Sequence, residues 1–144
     1  MDLRDALNQY YYDTTVCDLR QLSRTGGGEL SYNSIMYLDV ISFQEADGGC
    51  TVGRLAKTLR ISAPAATLKV NELVKMGLVE KSRGETDRRV VYLRVTNQVA
   101  ESLKSYDSPF ERAAQAVERR FTADEIRAFC SILGTFTEEY KKDF

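Results

Sequence analysis

The side chains in this sequence that could do chemistry are chiefly its cations, and they are unevenly spaced. Residues 54–94 carry ten of them (Arg54, Lys57, Arg60, Lys69, Lys75, Lys81, Arg83, Arg88, Arg89 and Arg94) against Glu72, Glu80, Glu85 and Asp87, a net of +6. Residues 1–53 hold three arginines against eight carboxylates, a net of −5, and residues 95–144 return to −2. A basic centre between acidic arms attracts anions at its middle. The alternative is a clump of solvated surface charge. The whole-chain balance conceals the block, because 20 Lys and Arg against 21 Asp and Glu sum to −1. Taken alone, that sum argues against a nucleic-acid binder.

Other chemistries find little material here. The chain has no histidine, which excludes a His-dependent triad, a histidine general base and a histidine zinc site. Cys17, Cys50 and Cys130 are odd in number and dispersed, so neither a metal knuckle nor a disulfide framework is expected. No cofactor or metal site is suggested, and no constellation supports an enzyme. The first residues, Met1-Asp2-Leu3-Arg4-Asp5, lack a signal peptide's apolar core, and no apolar run approaches a membrane span. A reduced, cytoplasmic setting without a membrane partner is the expectation.

The elements that position the basic block can be read from periodicity. Leu3, Leu7, Tyr10, Thr14 and Cys17 step by four and three along a first helix, and Val16, Leu19 and Leu22 widen it to a second apolar face. Gly26-Gly27-Gly28 should break it. Ser31 can cap a second helix to about Glu45, with Ile35, Leu38, Ile41 and Ser42/Phe43 apolar or inward. Thr51 caps a short helix with Val52, Leu55, Ala56 and Leu59 inward. After Arg60-Ile61, Ser62 caps another, with Pro64 in its first turn, Ala66, Val70 and Leu73 inward, and Gly77 as its stop. Leu78–Lys81 and Val90–Thr96 read as paired strands around a polar loop, Ser82–Arg89. Helical stretches return around Val99, Leu103 and Tyr106, stopping near Asp107. Ser108-Pro109-Phe110-Glu111 should then restart the helix with Phe110, Ala113, Ala114 and Val117 inward. Thr122-Ala123-Asp124-Glu125 opens the last one, striped by Ile126, Phe129, Cys130, Leu133, Phe136 and Tyr140. With the interrupted stretch counted once, the order is α-α-α-α-β-β-α-α: a mainly α fold in which a helix-turn-helix runs into a β-hairpin, a winged helix.

The stretch from Leu30 to about Ala100 resembles the MarR family of bacterial transcription regulators. The residues that carry the resemblance are Asn71-Glu72-Leu73-Val74-Lys75-Met76-Gly77-Leu78-Val79-Glu80, then Asp87-Arg88-Arg89, then the strand returning to Thr96. The run Thr51…Leu55-Ala56…Leu59 looks like the family's preceding helix. The resemblance implies that residues 31–96 form a DNA-binding winged helix-turn-helix. It implies that 1–30 and 97–144 form a helical dimerisation region, and that a homodimer presents two recognition helices to a pseudo-palindromic operator in double-stranded DNA. It implies that Arg89 inserts into a minor groove, that Asp87 holds it, and that Arg83 and Arg88 add phosphate attraction.

The same resemblance makes Ser62–Lys75 the recognition helix, with Ser62, Pro64, Ala65, Thr67, Leu68 and Lys69 as its candidate groove residues and Arg54, Lys57 and Arg60 as phosphate contacts. Leu68 departs from the arginine many members carry. It either meets a thymine methyl or, with the helix rotated, is packed; the packed reading is preferred. Lys69 falls near the core edge. The family's usual effector pocket would draw on Tyr12, Cys17 and Tyr37 to take a small aromatic ligand, although core packing is favoured for the tyrosines and a buried structural thiol for Cys17. The competing function is a dimeric winged-helix module that binds protein, with little or no DNA binding.

Overall fold

The computed structural model describes residues 1–24 and 30–144; the glycine break at 26–28 lies outside the described residues. Among these, six helices and one two-stranded sheet follow in order: α1 (Leu3–Arg24), α2 (Tyr32–Ala46), α3 (Val52–Leu59), α4 (Ala63–Lys75), β1 (Val79–Arg83), β2 (Val91–Val95), α5 (Asn97–Arg120) and α6 (Ala123–Lys141). They fall into two compact units, Met1–Thr96 and Asn97–Phe144.

Four helix starts lie where a capping side chain was expected. Ser31, Thr51 and Ser62 accept from the backbone N–H groups of Ser34, Arg54 and Ala65, and Thr122 forms a reciprocal capping box with Glu125. The fifth does not exist. Helix α5 runs unbroken through Ser108, with Pro109 inside it. Proline removes one ladder donor and disfavours helix at the residue before it, but it leaves the turns on either side able to continue. At its own end α4 closes on Gly77, whose φ of 74° lets its N–H reach the Val74 carbonyl while Leu78 N–H reaches Leu73. No atom lies within 4 Å of where a Gly77 Cβ would stand, so backbone conformation alone asks for glycine there.

The core of the first unit gathers one face from each element. Leu38 and Ile41 of α2, Leu55 and Ala56 of α3, Ala66, Val70 and Leu73 of α4, Val79 of β1, and Leu93 and Val95 of β2 are all buried. The inward face of α2 differs from expectation: Phe43 is exposed and Gln44 is buried. Ser34, Leu38, Ile41 and Gln44 follow the three-and-four spacing of a single face, which leaves Phe43 off it. Gln44 donates from Nε2 to the Thr58 hydroxyl at 3.0 Å.

Strand β1 pairs antiparallel with β2, Val79 opposite Val95 and Arg83 opposite Val91. Ser82 and Arg83 therefore belong to the strand, and the loop starts at Gly84 rather than Ser82. Cys50 adds a single bridge on the far side of β2, its carbonyl accepting from Leu93 N–H at 2.8 Å. Glu45 of α2 accepts from Arg94 Nε and from the Val95 N–H, both at 3.3 Å.

One arginine ties these pieces together. Arg54 Nη1 donates to the carbonyls of Gln44 (3.3 Å), Asp47 and Gly49 (2.8 Å), and Nη2 pairs with the Asp47 carboxylate at 2.7 Å. The last carbonyls of a helix have no partner within it and carry the negative end of its dipole. Arg54 fills that role for α2 and fixes the turn leading to Cys50.

The outer helices are different. In α1, Tyr10, Tyr11, Tyr12 and Leu19 are exposed; in α5, Phe110 and Val117; in α6, Phe129, Ile132, Leu133, Phe136 and Tyr140. The stripes expected to face inward are thus open in the single chain. Tyr140 stacks between Phe136 and Phe144, with ring centroids 5.9 and 5.0 Å away.

Replacing Arg54 with methionine should lower unfolding free energy by about 1–2 kcal/mol, because charged hydrogen bonds to half-buried carbonyls are lost while the side chain's bulk is kept. Urea denaturation measures this; an unchanged midpoint would show that the turn does not depend on the guanidinium.

Candidate nucleic-acid interface

The β-hairpin loop is shaped by glycine and closed by its own charges. Gly84 N–H donates to the Val90 carbonyl at 2.9 Å, and Val90 N–H to the Asp87 carbonyl at 3.1 Å. A Cβ on Gly84 would lie 2.6 Å from the Asp87 carbonyl oxygen and 3.2 Å from the Tyr92 ring. The same ring lies 2.7 Å from where a Gly49 Cβ would be, so Tyr92 of β2 rests on two glycines.

At the loop's end Asp87 grips Arg89 through three contacts. Its Oδ1 accepts from Arg89 N–H at 3.0 Å and from Nε at 3.1 Å, and its Oδ2 accepts from Nη2 at 3.1 Å. The hydrogen bonds from the Arg89 side chain and backbone hold the Asp87 carboxyl below its ordinary value. It therefore stays ionised through the neutral range, and the grip loosens only as pH falls through that lowered value. The Arg89 side chain is nevertheless 92% exposed: oriented but uncovered. Arg83 Nη1 donates to the Arg88 carbonyl at 3.0 Å, bracing the loop from its base, while Arg88 itself is exposed. This cluster brings together the four wing residues expected from the sequence.

Helix α4 is set by Ala66, Val70 and Leu73, all fully buried. At 100° per residue that fixes Leu68 nearly opposite the core, and it is 74% exposed. The packed reading of Leu68 is thus overturned. Ser62, Pro64, Ala65 and Thr67 are exposed as well. Lys69 is not. Its side chain is only 15% accessible; its ammonium donates to Ser34 Oγ at 2.9 Å, meets Glu72 at 3.4 Å, and sits 5.6 Å from the centre of the Tyr37 ring.

The three cations before α4 divide similarly. Arg54 is consumed by the α2 turn. Lys57 and Arg60 are exposed, and Arg60 closes α3 in the left-handed region at φ 51°, ψ 43°, a conformation more often left to glycine. Sequence reasoning missed the Arg54 contacts because their acceptors are backbone carbonyls, which no spacing reveals. It also missed Ser34 as the partner of Lys69 and Asn71, whose Oδ1 accepts from Lys81 Nζ at 2.8 Å.

The candidate effector residues are not assembled. Tyr12 and Cys17 are exposed on α1, and Tyr37 is half-buried on α2 beneath Lys69. The expectations of a core tyrosine at 12 and a buried thiol at 17 are corrected: the apolar face of α1 has no cover within the single chain. Cys50 is the buried thiol instead, and burial pushes its pKa up to about 11, leaving it protonated and unreactive near neutrality. One open depression at the wing base is lined by Glu45, Cys50, Arg83, Tyr92 and Arg94 among others, and another lies along α5 around Phe110; Tyr12, Cys17 and Tyr37 line neither.

A helix-turn-helix with an arginine-bearing β-wing is the architecture of a DNA-binding regulator, and comparison with known proteins agrees. Residues 30–90 match the model of the MarR family. A transcriptional regulator of helix-turn-helix type from Bacillus subtilis strain 168, the uncharacterised YwhA, is 25% identical over 91 residues. That match spans 63% of this chain and 66% of YwhA, just under two thirds of its length. Among solved structures, Streptococcus pneumoniae FabT in complex with DNA superposes with a TM-score of 0.63 at 19% identity, over 98% of this chain and 99% of that one. MepR of S. aureus bound to ethidium bromide gives 0.63 at 13% identity, over 97% of each. The chain belongs to the MarR family, whose members are transcriptional regulators and not enzymes.

Substituting alanine for Gly84 should open the wing, because its methyl cannot share space with the Asp87 carbonyl; overpacking of this kind costs about 1–3 kcal/mol. Faster hydrogen exchange at the Val90 amide, with the α3 and α4 amides unchanged, is the expected sign. Unaltered exchange at Val90 would mean the loop does not need glycine.

Proposed function

We propose that this chain is a homodimeric repressor that binds a pseudo-palindromic operator in double-stranded DNA, with α4 in the major groove and the wing against the adjoining minor groove. The observation that carries this reading is the held but exposed Arg89 at the end of a braced hairpin. Such an arginine suits a narrow minor groove, where negative potential is enhanced. Exposed Arg88, Lys57 and Arg60 supply phosphate attraction, with Arg83 added at the wing base. The DNA complex of FabT supports the same placement by likeness of fold.

Homodimerisation through 1–30 and 97–144 is supported by the exposed apolar stripes of α1, α5 and α6, since a contiguous apolar surface of that extent marks an interaction face. A two-fold pair of wings then reads two half-sites. Release by a small aromatic effector rests on the family and on MepR, which binds ethidium. Such a ligand would work by altering the spacing of the two recognition helices.

Fluorescence anisotropy with genomic fragments across salt concentrations tests DNA binding. Affinity should fall by at least about a hundredfold between roughly 50 and 200 mM salt, as counterions released by the wing and helix cations demand. No binding at the lowest salt would leave the protein-interaction reading in its place.

A further inference from the structure

The outward face of α4 is apolar at its centre, and its own folding makes it so. Lys69, the one cation in the first half of the helix, is turned to Ser34 and Tyr37 of α2, and Glu72 is engaged with it. Lys81 occupies the Asn71 carbonyl oxygen. Exposed in the first two turns are Ala63, Pro64, Ala65, Thr67 and Leu68, none of them charged. Pro64 and Ala65 precede Leu68 by four and three residues and so share its face.

A single exposed leucine is ordinary on a protein surface. This one has unusual neighbours. Exposed cations bracket it in the fold: Lys57 and Arg60 before α4, Lys75 at its end, and the wing arginines beyond. An apolar centre within a cationic frame fits a partner that is anionic along its edges and carries apolar groups between them. Duplex DNA has that form, with phosphates flanking a major groove into which each thymine projects a C5-methyl group. Guanine, by contrast, is read mainly by arginine or lysine at O6 and N7, and the helix withholds the lysine that could do this.

We propose that α4 reads thymine methyl groups in the major groove, with Leu68 as the specificity-determining residue and Pro64 and Ala65 completing the apolar contact. The proposal rests on the DNA-binding reading above and narrows it: the base pairs under α4 are A·T, and discrimination there comes from burying methyl groups. Burying one methyl against leucine changes affinity by about fourfold, so specificity at each position is modest.

The test uses duplexes selected by the full-length protein from a random library, with deoxyuridine replacing thymine one position at a time. Uracil keeps thymine's hydrogen-bonding groups and removes only the methyl. Loss of affinity of about fourfold at one or two positions per half-site is expected for the parent chain. Leu68→Ala, which should fold normally because the side chain is exposed, is expected to bind thymine duplexes about fourfold more weakly and to ignore the substitution. Salt-sensitive binding that tolerates deoxyuridine everywhere, or a selected core rich in G·C, would overturn the proposal while leaving DNA binding intact. Unchanged DNA affinity in Leu68→Ala would do the same and point to a protein partner on this face. Failure to bind any duplex at low salt would remove the DNA reading and this proposal with it.

Discussion

The winged helix hangs on one guanidinium. Arg54 sits in the first turn of α3, yet all its hydrogen bonds go to the turn that follows α2 and to the carbonyl at Gly49. The next residue, Cys50, pairs with Leu93 at the middle of β2. A single side chain thus relates the end of α2, the start of the helix-turn-helix and the strand that carries the wing back. Glu45 repeats the connection from α2 to Arg94 and Val95. Hydrogen bonds from a charged donor are stronger than neutral ones and directional. Here they convert a loose loop into a fixed angle between the reading helix and the wing.

A consequence is that charge and position must be separated. The block from 54 to 94 is basic by count, but its cations do three kinds of work. Arg54 holds backbone carbonyls, Lys69 fixes α4 against α2, and Lys81 and Arg83 brace neighbouring groups. Lys57, Arg60, Lys75 and Arg88 remain outward, and Arg89 is outward while still gripped. The field that a polyanion meets is therefore smaller than the sum suggests and more sharply placed. The acidic arms lie in the outer helices, which the proposed dimer would turn to one another and away from phosphates.

Much of this was legible in the sequence. Helix starts at Ser31, Thr51, Ser62 and Thr122 were visible because a capping hydroxyl acts on its own helix within three residues. The core faces of α3 and α4 were visible because 3.6-residue periodicity holds wherever one side is buried. The Asp87–Arg89 pair was visible because its two members are nearly adjacent, and through resemblance to the family's wing. What escaped were contacts between distant positions: Lys69 with Ser34, Arg54 with three carbonyls, Glu45 with β2. Pro109 misled because its local signal, a capping box, was overridden by helix on either side. Leu68 was misread because a leucine is usually packed, while Ala66, Val70 and Leu73 leave it no way inward. Cys17 and Tyr12 were misread because apolar periodicity marks a face that wants cover without saying which chain supplies it.

The central claim is that Asp87 and the braced hairpin deliver Arg89 to DNA while Arg89 contributes nothing to the fold. Arg89→Ala, compared with the parent chain for both operator affinity and thermal unfolding, addresses it directly. The account requires affinity to fall by at least about tenfold, from one lost contact of about 1–3 kcal/mol in each protomer. It also requires the unfolding midpoint to stay put, since an exposed ion pair is worth little. Undiminished affinity, or a loss of binding matched by a loss of stability, would contradict it.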